Sequence, residues 1–318
     1  MSRPTNNPDN LDSTGYFEMS DWNYVSLAGK DRVRHLHNFC TANISQLKPG
    51  ECTEAFILNE KGRVLWFGWV IVQVDQLLLC GASQFGKRIV DHLEKYVIRE
   101  DVQLADRSSE WNSWFVFGEH AGETLSAVVA MQGRPVQSPE RNRYLDVPLE
   151  RGSVGIAALE IAGWGCLLIA DSISSHTVNS LLSKTDLVRR AEAAFHALRI
   201  QHRIPWYGVD LDESNLPQEV NRDDQAISFT KGCYLGQETV ARLDALGHVN
   251  QFLVGLELPA AAGFPPGMVV ERAGKKILRV TSVATWNGRA IGLGYVRTEL
   301  NRPGTEIESA HGLVRVLS

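Results

Sequence analysis

The sequence predicts an α+β or mixed α/β protein that ends in a small β-barrel or sandwich, and three observations carry that reading. Short apolar runs alternate with segments of helical spacing between Trp22 and Leu198, the pattern of mixed architectures. After Gly247 the helical spacing stops and only short strand-like runs remain. The 318 residues exceed the size at which one hydrophobic core stops growing, so two or three structural units are expected.

Residues 1–19 are rich in Asn, Asp, Ser and Pro, have little to bury, and read as a flexible tail. Asn23 to Leu27 suits a strand, and Lys30 to Phe39 suits a helix with Val33, Leu36 and Phe39 on one side. Asn59-Glu60-Lys61-Gly62 reads as a hairpin turn joining Glu54–Leu58 to the long apolar strand Val64–Val74, after which the chain turns into another strand at Leu77. Phe85 to Tyr96 has helical spacing through Ile89, Leu93 and Tyr96. Gly165 to Ala170 reads as a buried strand. Leu187, Ala191, Phe195 and Leu198 share a helical face that Pro205 limits, and an Asp-rich loop follows from Asp210 to Asp224. Val240, Leu243 and Leu246 place a helix over Glu238–Leu246, with Gly247 as its terminator. Phe252–Leu256, Met268–Val270, Ile277–Ala284, Ala290–Val296 and Leu313–Leu317 are short strands, and Asn287-Gly288 is a two-residue hairpin signal.

Composition narrows the classes of function. With 44% hydrophobic and 22% charged residues the chain reads as an ordinary globular protein. Its apolar runs are too short to span a bilayer, so no membrane is expected as a partner. The first ten residues lack both the apolar core and the basic face of a targeting peptide. Five cysteines without close pairs argue against a disulfide framework or a CxxC metal site, and a reducing, cytoplasmic location is expected. A net charge of −5 argues against a large nucleic-acid-binding face. The nine histidines show no metal spacing, and Gly292-x-Gly294 lies in a strand without the longer dinucleotide pattern.

The densest concentration of reactive and backbone-permissive residues is Ile227 to Arg242. Gly232 and Gly236 flank Cys233 and suggest a tight loop, and Lys231 stands two residues before the thiol. A cysteine near a helix start and an ammonium favours the thiolate. The plainer alternative is that Cys233 packs as a small apolar side chain.

Lys231-Gly232-Cys233-Tyr234-x-Gly236-Gln237-Glu238 resembles the signature of the YgfZ-type folate-binding proteins, relatives of the T-protein (GcvT-like) aminomethyltransferase of glycine cleavage. Leu198-Arg199-Ile200, Pro205, Gly208-Val209-Asp210 and Leu216-Pro217-Gln218-Glu219 resemble further blocks of that family in order and spacing. Leu27 to Asp31, Thr41 to Leu47 and Lys61-Gly62-Arg63 extend a weaker similarity through the N-terminal half.

The resemblance implies an α+β fold of three subdomains around a central folate-sized channel, the third a β-barrel. It divides the chain into a folate-binding region of two discontinuous subdomains over 20–247 and a barrel over 248–318. It implies tetrahydrofolate or a derivative as cofactor, iron–sulfur proteins or assembly factors as partners, and a role in iron–sulfur cluster assembly or repair, including iron–sulfur enzymes of tRNA modification. Under it Glu219 anchors the pterin through two charge-assisted hydrogen bonds, against the alternative of a solvated loop acid. Cys233 supplies a nucleophile, a redox thiol or a transient iron ligand, and Lys231 tunes it or pairs with an anion. Arg242 and Arg199 are candidates for the glutamyl tail of folate, or make structural salt bridges. Tyr207, Trp206 and Tyr234 are candidates to stack on a flat ring, or pack as core aromatics.

The family pattern fails at one place. Aminomethyltransferases carry a catalytic aspartate after the strand that here ends at Cys80, whereas Gly81 to Arg88 contains no carboxylate. Folate-dependent aminomethyl or other one-carbon transfer is therefore the alternative, and a non-catalytic assembly scaffold the second.

Overall fold

The computed structural model describes residues 14–82, 85–118, 120–130, 138–247, 249–260 and 263–317. Their chain folds as two compact units, each discontinuous: residues up to Ser20 with Glu110–His202, and Asp21–Ser109 with Arg203–Ser318. The described residues form three sheets, two of six strands and one of five. The first strand, β1 (Gly15–Glu18), belongs to the former unit.

The unit that begins at Asp21 opens with β2 (Trp22–Ala28), α1 (Arg32–His37), β3 (Cys52–Leu58), β4 (Val64–Val72), β5 (Gln76–Ala82), α2 (Gly86–Glu94) and β6 (Gln103–Asp106). Its strands lie in the order β3-β4-β5-β2-β6, all antiparallel. Alternate residues face opposite ways along a strand. Val25, Leu27, Ala55, Ile57, Val70, Val72, Leu77 and Leu79 form one face, packed with Leu36 of α1 and Ile89 and Leu93 of α2. The opposite alternation carries aromatic rings: Trp22 stacks on Trp69 at 5.6 Å and Phe56 lies 4.9 Å from Phe67. The helix expected over Lys30–Phe39 is shorter because Asn38 already caps α1 and the chain turns toward β3.

The same unit resumes after Arg203 with a 3₁₀ turn (Pro217–Val220), and the sheet at its end runs β13-β14-β15-β12-β17-β16. Its strands are β12 (Gln251–Leu258), β13 (Val269–Arg272), β14 (Lys275–Trp286), β15 (Arg289–Arg297), β16 (Glu306–Ser309) and β17 (Gly312–Val316). This barrel-like sheet encloses Leu256, Phe264, Leu278, Val280, Val296, Ile307 and Val314. Asn287 and Gly288 both take positive φ, 46° and 76°, as the hairpin signal requires. Buried Asp210 accepts hydrogen bonds from Thr281, Ser282 and the amide of Trp206, which stitches the chain after Pro205 to β14. The sheet expected as a domain from residue 248 thus falls into one unit with the N-terminal sheet.

The other unit holds β7 (Trp111–Phe117), α3 (Ala121–Ala130), β8 (Arg143–Pro148), β9 (Ser153–Glu160), β10 (Trp164–Asp171), α4 (Ser172–Leu182), β11 (Val188–Arg189) and α5 (Glu192–Gln201). Its sheet runs β11-β1-β7-β10-β9-β8. The flexible tail read from the sequence stops short of residue 19, since Gly15–Glu18 is a strand whose Phe17 stacks on Phe117 at 4.7 Å; residues 1–13 lie outside the described residues. The helical face expected from Leu187 is also broken. Val188 and Arg189 pair with Gly15 and Tyr16, so the helix waits until Glu192, and Leu187 packs against the core cluster that includes Val154 and Leu168 while Phe195 contacts Phe17 and Phe115.

Candidate functional site

Ala226 to Leu235 lies along residues 37–42, and backbone chemistry fixes it there. The Thr41 hydroxyl donates to the Ala226 carbonyl at 2.6 Å, and the Ser228 amide donates to the Thr41 carbonyl at 2.9 Å. The Leu235 amide donates to the Asn38 carbonyl at 2.9 Å. Between these, Lys231 Nζ donates to the carbonyls of His37 at 2.5 Å, Cys40 at 2.8 Å and Ala42 at 2.8 Å. An ammonium has three donors, and all three are taken. The carbonyls belong to the end of α1 and the turn behind it, where a helix leaves its last acceptors unpaired and favours positive charge. Lys231 is buried, and burial holds its pKa below the ordinary lysine value.

A second anchor lies at the other end of the loop. Gly236 has φ +82°, and a Cβ added there would lie 2.7 Å from the Asn59 carbonyl oxygen. Gly62, φ +74°, would place its Cβ 2.7 Å from Cβ of Thr239. These approaches are closer than side chains tolerate, so the two glycines let the loop and the β3–β4 hairpin meet backbone to backbone. The Thr239 hydroxyl adds a bond to the Lys61 carbonyl at 3.2 Å. Three blocks distant in sequence, Thr41-Ala42, Lys61-Gly62 and the Lys231 to Glu238 segment, are therefore one local structure.

Gly232 and Cys233 are exposed between the anchors, whereas the other four cysteines are buried. The first residue of α7 (Gln237–Leu246) comes four positions after Cys233, so the thiol sits in the loop and not in the helix's first turn. The expectation that Lys231 tunes this thiol does not match where its donors go. Its ammonium stands 4.9 Å from the centre of the buried Tyr234 ring, which packs against the lysine.

Glu219 is buried on the Pro217–Val220 turn. Its Oε2 accepts from the Leu216 amide at 3.0 Å and from Asn215 Nδ2 at 3.3 Å, and its Oε1 accepts from Gln251 Nε2 at 3.3 Å. It is not a solvated loop acid. Tyr207 is buried, with its hydroxyl 3.4 Å from the Val64 carbonyl and its ring edge-on to Phe85 at 4.9 Å; burial pushes its phenol up to about 12. Trp206 meets Trp22 edge-on at 6.0 Å. These aromatics pack in the protein's interior. Arg242 is exposed on α7. Arg199 belongs to the other unit, where it is buried on α5 and donates to His196 Nδ1 at 2.8 Å.

Two polar features escaped the sequence reading. Glu54 of β3 and Arg222 form a buried, two-bond ion pair, with Nε to Oε2 at 3.0 Å. The signal was a lone acid at the head of an apolar strand. Asp223 opens the short helix α6 (Asp223–Ala226), and its Oδ1 is sealed from solvent without a hydrogen-bond donor. Asp91, the nearest acid after the carboxylate-free segment, is exposed and paired with Lys87 at 2.8 Å; Ser83 and Gln84 of that segment lie outside the described residues.

Residues 11–140 match the GCVT N-terminal domain family. A chloroplastic protein of Arabidopsis thaliana named as a transferase is 25% identical over 310 residues, 95% of this chain and 69% of that one. The tRNA-modifying protein YgfZ of Colwellia psychrerythraea is 24% identical over 263 residues, 82% of this chain and 77% of its own. Among solved structures, the glycine cleavage system aminomethyltransferase T from Bartonella henselae superposes with a TM-score of 0.77, covering 96% of this chain and 85% of that one at 18% identity. The last likeness shows a shared fold.

Proposed function

This chain is a YgfZ/GcvT-like protein, and from that premise we propose that it binds a tetrahydrofolate-type cofactor and supports iron–sulfur cluster assembly or repair, with Cys233 as its reactive group. The relative named as tRNA-modifying directs the proposal toward iron–sulfur enzymes of tRNA modification. The carrying observation is the loop itself: one exposed thiol held between two backbone anchors, with every other cysteine buried. A thiol held so is open to a partner's thiol, to an electrophile or to iron. A single cysteine cannot hold a cluster, and four buried thiols cannot help, so remaining ligands come from a partner protein.

The fit to folate is narrower than the sequence implies. Three donors already reach the Glu219 carboxylate, two of them on Oε2, so it cannot offer both oxygens to a pterin edge. A single contact at Oε1, beside the Gln251 amide, is the role we propose for it. When bound, the folate would supply one-carbon or redox chemistry, and this chain's contribution would be to hold it and to present Cys233. Aminomethyl transfer is disfavoured, because Gly81 to Arg88 carries no carboxylate where the resemblance implies a catalytic aspartate, and Asp91 beyond it is an exposed acid paired with Lys87.

The test joins calorimetry to cell rescue. Wild type should bind tetrahydrofolate saturably and restore iron–sulfur enzyme activity in cells lacking the protein. Cys233→Ala should bind equally and fail to restore it. Rescue by Cys233→Ala would remove the thiol from the mechanism, and absence of binding by wild type would leave the scaffold reading.

A further inference from the structure

Two buried side-chain acceptors, one on the Pro217–Val220 turn and one on α6, have no donor. Gln218 is 6% exposed, and its Nε2 donates to the Val240 carbonyl at 2.8 Å, which fixes the amide's orientation and leaves Oε1 without a partner. Asp223 Oδ1 is likewise sealed and unpartnered. The Pro217–Val220 turn that carries Gln218 packs against α6, which Asp223 opens. Asp223 also feels the charge of Asp244, one helical turn beyond Val240 on α7. The two orphan oxygens thus belong to neighbouring elements, the turn that Gln218 ties to α7 and the helix α6 packed against that turn.

Two acceptors cannot satisfy one another, and each unpaired buried polar atom costs about 1–3 kcal/mol. One proton between them removes both defects. Among the described residues, the charges that act on the Asp223 carboxyl are both negative. Asp224 on α6 and Asp244 on α7 are acids that add repulsion. Arg222, beside Asp223, is bound to Glu54 of β3, and Glu219 of the turn is bound to Asn215, Leu216 and Gln251.

We propose that Asp223 is carried as the neutral acid and donates its proton to Gln218 Oε1, a contact that clamps α6 and the Pro217–Val220 turn onto α7 and opens when the proton leaves. α6 leads into the segment that displays Cys233 and α7 follows it, so the proton governs how tightly that loop is held. The device needs no ligand and stands or falls apart from any reading of folate or iron.

Burial, then Asp224 and Asp244, raise the Asp223 carboxyl to about 7 from its ordinary 3.8. A group with a raised pKa in the closed form favours that form fully at low pH. Between about 4 and 7 the closed form holds a proton the open form lacks, so closure weakens as pH rises and levels off above 7. The opening constant should climb about tenfold per pH unit across that window.

Hydrogen exchange of the full-length protein tests this at the Ser228 and Leu235 amides, read from pH 5 to 8 and corrected for intrinsic rates. In wild type the opening constant should rise about fiftyfold from pH 5 to 7 and less than about twofold more by pH 8. Asp223→Asn, whose amide donates at every pH, should be flat. A flat wild-type profile, or a variant that follows wild type, would overturn the clamp. Should the variant fold poorly, carbon-13 titration of the Asp223 carboxyl in wild type decides: a midpoint near 7 supports the clamp and one below 5 excludes it.

Discussion

At Lys231 three carbonyl oxygens converge on one ammonium, and the side chain does there what a bound cation would do. Replacing it by Met strands those three oxygens in the interior. At roughly 1 kcal/mol for each lost bond, Lys231→Met should cost about 3 kcal/mol in denaturant unfolding; a loss under about 1 kcal/mol would mean that the contacts are made by water equally well. The same substitution has a chemical readout. Burial pushes the Cys40 thiol up to about 11, and it lies in the turn that Lys231 holds. Native wild type should show one fast thiol, Cys233, toward an alkylating reagent, and Lys231→Met should add Cys40. The buried pair of Glu54 and Arg222 makes a harsher case, since Glu54→Ala leaves an uncompensated guanidinium. About 3–5 kcal/mol should be lost, and Glu54→Ala combined with Arg222→Met should recover part of it.

Among the elements, the motif loop separates two glycines that look alike in sequence. Gly236 is left-handed and pressed against Asn59, whereas nothing stands within 4 Å of a Cβ at Gly232. Gly236→Ala should therefore cost at least about 2 kcal/mol, from strain and collision together, while Gly232→Ala stays within about 0.5 kcal/mol of wild type. Equal effects in thermal unfolding would contradict the geometry. The contrast also marks what the sequence could convey. The turn at Asn287-Gly288, the helix ending at Gly247 and the strand over Val64 were readable because each rests on local chemistry: a positive φ, a terminator, an apolar run. Lys231 was legible as important but not as a carbonyl clamp, because its partners stand about 190 positions away in sequence, at |i−j| of 189 to 194. Asp223 was legible only as one acid in an Asp-rich loop, and what distinguishes it is a carboxyl oxygen sealed from solvent without a donor. The face expected from Leu187 failed for a related reason: partner strand β1 competes with the helix, and no local periodicity reports that competition.

On the scale of the whole molecule, the unit holding Glu110–His202 depends on a strand that is remote from it in sequence. β1 lies between β11 and β7 and gives Phe17, 1% exposed, to a cluster with Phe117 and Phe195. Removing residues 1–20 would open the edge of β7, with its unpaired amides and carbonyls, and uncover two aromatic rings. Phe17→Ala alone should cost about 3–5 kcal/mol, the usual range for deleting a buried ring. The deletion should go further and collapse exchange protection throughout Glu110–His202, while amides of Asp21–Ser109 and Arg203–Ser318 keep theirs, because their sheets take no strand from the deleted segment. Protection that survived in β7 and β10 would show the strand to be dispensable and the polar N-terminal segment to be the appendage its composition suggests. The unit's boundary is invisible in composition for the reason that makes this test sharp: a strand of four residues, carrying one buried phenylalanine, joins a six-stranded sheet from about a hundred positions away, where Gly15 pairs with Phe117 of β7.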